Sequence, residues 1–366
     1  MIDMEVERGS FSIFNEAESA DNNLWKGIVK RYCGNEPMMM PEYLKLFSSA
    51  PFENAFCGWY KNENGGILYP FILREMRALD WCPNALSNFN DVITPYGYGG
   101  PYPYGELNTS DVKAFWTGLD AWLKSCRVVS EFIRFSLEIS RPQIHYPGDV
   151  ILKSKNIVRT LDKSLSEMWI DFEHKVRKNV KRAQQNGLRV ELDRTGEKTK
   201  DFLEIYYSTM ARREAKSFYH FGPDFFDKLN RSLDGSFLYF HVLLQNKIIS
   251  SELTLYSKET IYSYLGGTER SAYNLRPNDL LKYEIIKWGI ESGLKRFVIG
   301  GGYQGEDGIY KYKKSFAPNG EVPFFVGQRI LDSGVYNRLA DARRKYEAKD
   351  GKVWSPSGGF FPLYRA

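Results

Sequence analysis

Residues 261–318 read IYSYLGGTERSAYNLRPNDLLKYEIIKWGIESGLKRFVIGGGYQGEDGIYKYKKSFAP. The opening, Ile261 to Leu265, reads as a strand running into a Gly266-Gly267 turn. A loop follows, and then a helix opens at Pro277, which suits the first helical position. Gly293 suits its C-terminal stop. A second strand over 296–299 runs into Gly300-Gly301-Gly302, and a lysine-rich stretch closes the segment. Backbone donors and cations are gathered here with little side-chain bulk. That suits a large, anionic, activated ligand better than a metal or redox centre.

The same plan is legible earlier in the chain. Residues 22–32 read as a helix with Leu24, Ile28 and Tyr32 along one side, and 54–60 with 66–74 as a hairpin. Residues 94–105, TPYGYGGPYPYG, are a shaped loop. Residues 110–127 form a helix carrying Phe115, Leu119 and Trp122, and 131–137 a strand. In the second half, helices are predicted near 201–213 and 223–233. A hairpin is predicted over 237–244 and 248–256, turning at 245–247. Gly99-Gly100 and Gly266-Gly267 are 167 residues apart, and so are the helix starts Ser110 and Pro277. Both glycine pairs follow tyrosines: Tyr96 and Tyr98, then Tyr262 and Tyr264. Two copies of one α/β module, dividing near 160–165, are the simplest account.

A chain of 366 residues exceeds the usual single-core limit of roughly 250–300, which also argues for two domains. Hydrophobic content of 43% and charged content of 26% are ordinary for a globular protein. The aromatic share, 15%, is high; aromatic pockets receive sugars or bases, and buried aromatics give the same composition. A net charge of +5 does not by itself imply nucleic acid. Cys33, Cys57, Cys82 and Cys126 share no CxxC spacing and read as free thiols. The four histidines form no i, i+4 pair, so no metal site is expected. The N-terminus has no signal-peptide pattern and no apolar run reaches ~18 residues, so a soluble cytoplasmic chain is expected.

Several stretches carry candidate chemistry. Over 165–187 one helix is predicted, with Trp169, Phe172, Val176, Val180 and Ala183 as its apolar stripe. Lys175, Arg177, Lys178, Lys181 and Arg182 cover the rest, as a solvated basic face or a phosphate-binding one. Gly266-Gly267 ends a strand or lets a ligand approach the backbone. The helix N-terminus at Pro277-Asn278-Asp279, with Arg276 before it, is an anion site or ordinary dipole compensation. Gly300-Gly301-Gly302 suits a ligand crevice at a strand's end, or a plain loop. This is not read as a dinucleotide fingerprint, and no GxxxxGK[ST] phosphate loop occurs. In 310–316, strand alternation would send Tyr310, Tyr312 and Lys314 to one face and Lys311, Lys313 and Ser315 to the other. Such a stretch is a nucleotide-binding surface or a lysine-protected edge.

In order and spacing these pieces resemble the FemABX-like transferases, tandem-domain relatives within the GNAT superfamily of N-acetyltransferases. The segment 261–318 is similar to the family's C-terminal core. HKVRKNVKRAQQNGLRVEL is similar to the segment opening its second domain, and LYPFILRE and ITPYGYGGP to its N-terminal module. The resemblance implies an α/β (α+β) fold of two tandem GNAT-like modules, each a mixed, mainly antiparallel sheet flanked by helices, divided here as 1–160 and 161–366. It implies acyl or aminoacyl transfer from acyl-CoA or aminoacyl-tRNA to an amine or hydroxyl of a sugar or cell-envelope precursor. No bound cofactor is implied. tRNA is among the partners; DNA and membrane integration are not. A non-catalytic tRNA- or glycan-binding derivative is the alternative.

By the same resemblance, Lys313 sits beside the donor ester with Tyr312 in the aromatic slot. Gly266, Gly267, Arg276, Asn278 and Gly301 are donor-site candidates, and Glu252 or Asp307 a general base. Tyr96, Tyr98, Gly99, Gly100, Arg177 and Lys181 are acceptor-site candidates, expected to meet at a cleft between the domains. Three departures qualify this. The helical arm of larger tRNA-using members is absent. Arg276-Pro277-Asn278-Asp279 stands where an acetyl-CoA pyrophosphate signature, (Q/R)xxGx(G/A), would be. Residues 38–47, MMMPEYLKLF, lack the Gln-Ser…Trp…Lys stretch that supports muropeptide binding.

Overall fold

Each of two units builds one sheet in which a single parallel strand pair interrupts an antiparallel order. The computed structural model describes residues 4–6, 9–48, 50–138, 143, 145–214, 220–303, 305–349, 351, 353–356 and 358–366. The first unit comprises Met1–Cys33, Met38–Lys153 and Phe324–Ala366; the second comprises Gly34–Pro37 and Ser154–Pro323.

In the first unit, β1 (Met4–Val6), β2 (Gly9–Asn15), β3 (Glu53–Lys61), β4 (Gly65–Glu75), β5 (Asn90–Ile93) and β7 (Val128–Arg134) lie in that spatial order, with β6 (Tyr102–Gly105) beside β4. β5 and β7 are the parallel pair, matching Ile93 to Phe132. Helices α1 (Ser19–Tyr32), α2 (Pro41–Phe47) and α3 (Thr109–Ser125) flank this sheet. Asn108 starts α3 with a capping box, its side chain accepting from Ser110 and Asp111 amides while Asp111 answers back. Phe115, Leu119 and Trp122 then bury against Phe11, Tyr69 and Phe71, as their spacing predicts. The face of α1 differs from expectation. Ile28 is buried as expected, but Leu24 and Tyr32 are 42% and 44% exposed, and Trp25 and Val29 are buried in their place. Trp25, the bulkiest apolar side chain there, sets the rotation, and its indole N–H donates to Met39 O at 2.9 Å.

The second unit contains β8 (Asp149–Thr160, inside this unit from Ser154), α4 (Leu165–Asp171), α5 (His174–Gln185), β9 (Leu188–Asp193), α6 (Thr199–Arg212), α7 (Pro223–Ser232), β10 (Phe237–Leu244), β11 (Lys247–Tyr256), β12 (Thr260–Thr268), α8 (Pro277–Glu291), β13 (Arg296–Gly301) and α9 (Gly308–Lys314). Its strand order is β8-β13-β12-β11-β10-β9, with β12 and β13 parallel. The parallel pair is again joined by a crossover helix, α8, the counterpart of α3. Its core gathers Val176, Val180, Leu238, Phe240, Leu281, Ile285 and Phe297.

The predicted helix over 165–187 is two helices. Phe172 is extended (ψ 147°), its ring is buried 5.7 Å from that of Phe316, and the Glu173 amide donates to Ser315 O. Anchoring Phe172 breaks the helix but keeps Val176, Val180 and Ala183 buried on α5.

Last come β14 (Glu321–Ile330) and α10 (Ser333–Lys349). The expected division at 160/161 gave this stretch to the second domain; it belongs to the first unit from Phe324 onward. Val326 to Ile330 pair antiparallel with β7, and Val335, Tyr336, Leu339 and Tyr364 share a core with Met76, Leu86 and Val129. None of these partners is local in sequence, so no boundary signal marks the return. Among the described residues, no helix is long and apolar enough to cross a membrane.

Candidate active site

The site of interest lies where β12 leaves β13. The parallel pairing covers only Thr260↔Arg296, Ile261↔Phe297 and Tyr262↔Val298. Beyond it, β13 continues along β8, to Gly301↔Asn156. β12 continues along β11 through a bulge, since Thr254 pairs with Ser263 but Leu253 with Leu265, so that Tyr264 is extra. Bulges commonly re-aim strands beside active sites. Here one coincides with the parting of two parallel strands.

Helix α8 starts from Arg276, in the left-handed conformation (φ 65°), with Pro277 at the first turn. The Asn278 side-chain oxygen accepts from Thr268 Oγ1 at 2.5 Å and Ser250 Oγ at 3.1 Å, tying the helix start to β11 and β12. Asp279 is buried and accepts from Asn179 of α5 at 3.1 Å; burial raises its pKa. The Arg276 Nε is buried without a hydrogen-bond partner among the described residues. One turn further in, Lys282 is buried among Leu281, Ile285 and Ile286. Its ammonium lies 2.5 Å from each oxygen of Glu252 and 2.8 Å from Ser263 Oγ.

The closing lysine-rich stretch is helix α9 and not the alternating strand expected. Asp307 caps it: one carboxylate oxygen accepts from the Tyr310 amide at 2.8 Å, the other from the Tyr303 amide at 2.8 Å. The helical turn brings Lys313 back over β13, where its Nζ donates to Gly301 O at 2.8 Å. Lys313 is half-buried as a residue, and desolvation of its ammonium lowers its pKa to about 8. The charge of Lys282 acts in the same direction, while Glu252 and Asp307 oppose it. The Tyr312 hydroxyl is buried without a partner among the described residues. Burial first, then the charges of Asp279 and Glu252, push its pKa well up, so it stays a neutral donor.

Other candidates take different positions. Gly266 and Gly267 lie within β12 and form no turn. A Cβ on Gly267 would sit 2.6 Å from Thr209 Oγ1 and 2.8 Å from Ile205 O, so the backbone brought close is that of α6. Gly302 makes room for Gly305 O and the Asp307 carboxylate. Glu252 is 6% exposed, and the Lys282 clasp occupies both its oxygens. The Arg177 guanidinium folds back onto Ile170 O and Phe172 O, closing the end of α4, whereas Lys181 is exposed.

Tyr96, Tyr98, Gly99 and Gly100 lie in the first unit. There the Tyr96 carbonyl accepts from Tyr43 OH, the Tyr98 ring meets Phe324 edge-on at 5.6 Å, and Gly99 N donates to Arg134 O. Gly100 has φ 82°, and a Cβ there would press on Ile133 and Phe135. Sequence reasoning missed Lys282 and Ser263. The available signal was a lysine between Leu281 and Ile285, on a helix otherwise apolar toward the sheet. Among the described residues, no three His, Cys, Asp or Glu side chains cluster as a metal site would need.

Two family models match the chain. The acetyltransferase (GNAT) domain covers residues 171–314, from the end of α4 through α9, and the FemAB family covers residues 103–236. No curated protein matches. Among solved structures, FemX is similar over 92% of this chain and 99% of its own, at 14% identity and a TM-score of 0.64. The C-terminal domain of a putative lysylphosphatidylglycerol synthetase from Agrobacterium fabrum is similar over 89% and 96%, at 11% identity and a TM-score of 0.55. A conserved protein of unknown function from Bacteroides thetaiotaomicron is similar over 86% and 98%, at 10% identity and a TM-score of 0.53. At such identities these three likenesses are of fold. Taken with the two family matches, which together lie within residues 103–314, they make the chain similar in fold and in part of its sequence to the FemABX-like transferases of the GNAT superfamily.

Proposed function

We propose that the second unit transfers an acyl group from an acyl thioester, of the acyl-CoA class, to an amine on a sugar or cell-envelope precursor. One observation carries this reading. β12 parts from β13 beside an ammonium of lowered pKa and an unpartnered tyrosine hydroxyl, Lys313 and Tyr312. In this reading Lys313 and Tyr312 are the two donors that a thioester carbonyl entering the parting would meet. Preorganised donors aimed at a developing oxyanion lower the barrier more than donors that must reorient.

In this reading the amine nitrogen attacks the thioester carbon, and the tetrahedral oxyanion is held by Lys313 and Tyr312. The strand amides near Gly266 and Gly267 are further candidates. The C–S bond then breaks as the amide forms. Lys313, with a pKa of about 8, protonates the leaving thiolate and regains a proton from the acceptor nitrogen. Glu252 contributes as a partner of Lys282 more than as a free base, because accepting a proton would cost it that ion pair. Asp307 acts by capping α9. An amine that arrives unprotonated needs neither as a base. Arg276, Asn278 and Gly301 frame the donor's approach. Lys181 on α5 is a proposed acceptor contact of the second unit, and Tyr96, Tyr98, Gly99 and Gly100 are acceptor candidates of the first unit taken by itself. Arg177, spent on the end of α4, is structural.

The test is thermal-shift screening against acyl-CoA, aminoacyl-tRNA and nucleotide-sugar panels. A donor at a hundred times its Kd should stabilise the protein by about 2.7 kcal/mol. A shift with aminoacyl-tRNA alone would replace the thioester donor, and no shift with either class would sink the reading.

A further inference from the structure

The proposed transfer step leaves one buried ion pair without a task. Lys282 projects from α8 toward the sheet, and its side chain is 8% exposed, as is that of Glu252. An ammonium has three protons to donate. Those of Lys282 face Glu252 Oε1, Glu252 Oε2 and Ser263 Oγ. Its nitrogen also stands 5.4 Å from the centre of the Phe297 ring. One side chain therefore touches β11 through Glu252, β12 through Ser263 and β13 through Phe297.

The register makes these anchors informative. Glu252 pairs with Gly266, on one side of the β12 bulge, and Ser263 pairs with Thr254, on the other. Tyr262 is the last β12 residue paired with β13, and Ser263 is the next. The clasp therefore spans the bulge and fixes the residue at which the two parallel strands separate. An ion pair kept in an apolar core is no strong source of stability, because desolvation offsets its Coulomb gain. A role in fixing one geometry accounts for its presence better.

Resting on the acyl-transfer reading, we infer that Lys282 is a positioning residue. Clasped by Glu252 and Ser263, it pins the bulged stretch of β12 where that strand leaves β13, and so sets the opening in which the donor meets Lys313. Its charge acts on the same site. Lys282, Glu252 and Asp307 are the charged groups that face Lys313, the first opposing its protonation and the other two favouring it.

The experiment measures kcat, donor KM and pH profile for the full chain with the acyl thioester that shifts its melting temperature most. Glu252→Gln should move the alkaline limb of turnover to lower pH, and Lys282→Met should move it to higher pH. A merely structural pair would give no such opposed shifts. Removing one partner strands a buried charge and threatens folding, so the paired Glu252→Met/Lys282→Met variant is made as well. Folded, it should lose at least about tenfold in kcat. Ser263→Ala removes only a hydrogen bond and should raise donor KM ~2–10-fold.

Wild-type kcat, KM and pH profile in the folded paired variant would overturn the inference. If that variant does not fold, an unchanged KM in Ser263→Ala overturns it. A wild-type chain that transfers from no thioester defeats the functional reading first, and this inference with it. A working wild type whose variants match it defeats this inference alone.

Discussion

Replacing Gly267 with alanine separates two reasons for a glycine in β12. If the glycine admits a ligand, the added methyl costs binding and leaves folding intact. The contacts point to α6 instead. The new Cβ would lie 2.8 Å from Ile205 O, a backbone atom, and 2.6 Å from Thr209 Oγ1, which also accepts from the Thr268 amide at 3.2 Å. Ordinary contact begins near 3.4 Å, so the helix backbone must retreat by roughly half an ångström. Overpacking of this kind costs about 1–3 kcal/mol, while the entropy lost by the unfolded chain returns about 0.4–1 kcal/mol. A net destabilisation of about 1–2 kcal/mol is expected, read as a lower urea midpoint at unchanged m-value. Hydrogen exchange should localise it to β12 and α6. Gly27, exposed within α1 and with nothing within 4 Å of a Cβ, is the control. Alanine there should stabilise by about 1 kcal/mol. A Gly267→Ala protein as stable as wild type, with weakened donor binding, would refute the reasoning and restore the ligand explanation.

Two further outcomes follow from buried groups. Tyr312→Phe removes a hydroxyl that has no partner, so stability should hold or rise by about 1 kcal/mol while turnover falls; thermal unfolding and a transfer assay on the same sample check both. In the first unit, burial alone would raise the Asp91 pKa, but the Arg74 and Arg365 guanidinium groups, each 2.7 Å away, hold it below the usual carboxylate range. Its stabilising contribution is therefore present above the unfolded carboxylate pKa near 4 and is lost as pH falls through the lower folded value. Arg365→Ala should shift the acid-unfolding midpoint to higher pH, and an unmoved midpoint would show that the C-terminal clamp contributes nothing.

What the sequence revealed follows from the range of the forces involved. The hairpins and the helices at 110–127 and 277–293 rest on local periodicity and turn residues, and they stand within a few residues of their predicted ends. Helix α9 was misread because Tyr310, Tyr312 and Lys314 alternate, although Asp307 is a cap signal that favours a helix. The three-residue pairing of β12 with β13 was not legible, since register between parallel strands depends on how the crossover helix α8 packs on the sheet and not on a local turn. The same distance hid the clasp, as Glu252 and Lys282 are 30 residues apart. Lys313 was legible by resemblance alone; its contact with Gly301 needed the helical turn of α9.

The most direct measurement is acyl transfer by Lys313→Met across pH, beside wild type, with folding checked by circular dichroism. Wild-type turnover that depends on protonated Lys313 should show an alkaline limb near its pKa of about 8. Lys313→Met should keep the fold, lose at least about tenfold in kcat and lose that limb. A folded Lys313→Met protein with wild-type turnover and the same limb would contradict the placement of Lys313 at the reacting carbonyl.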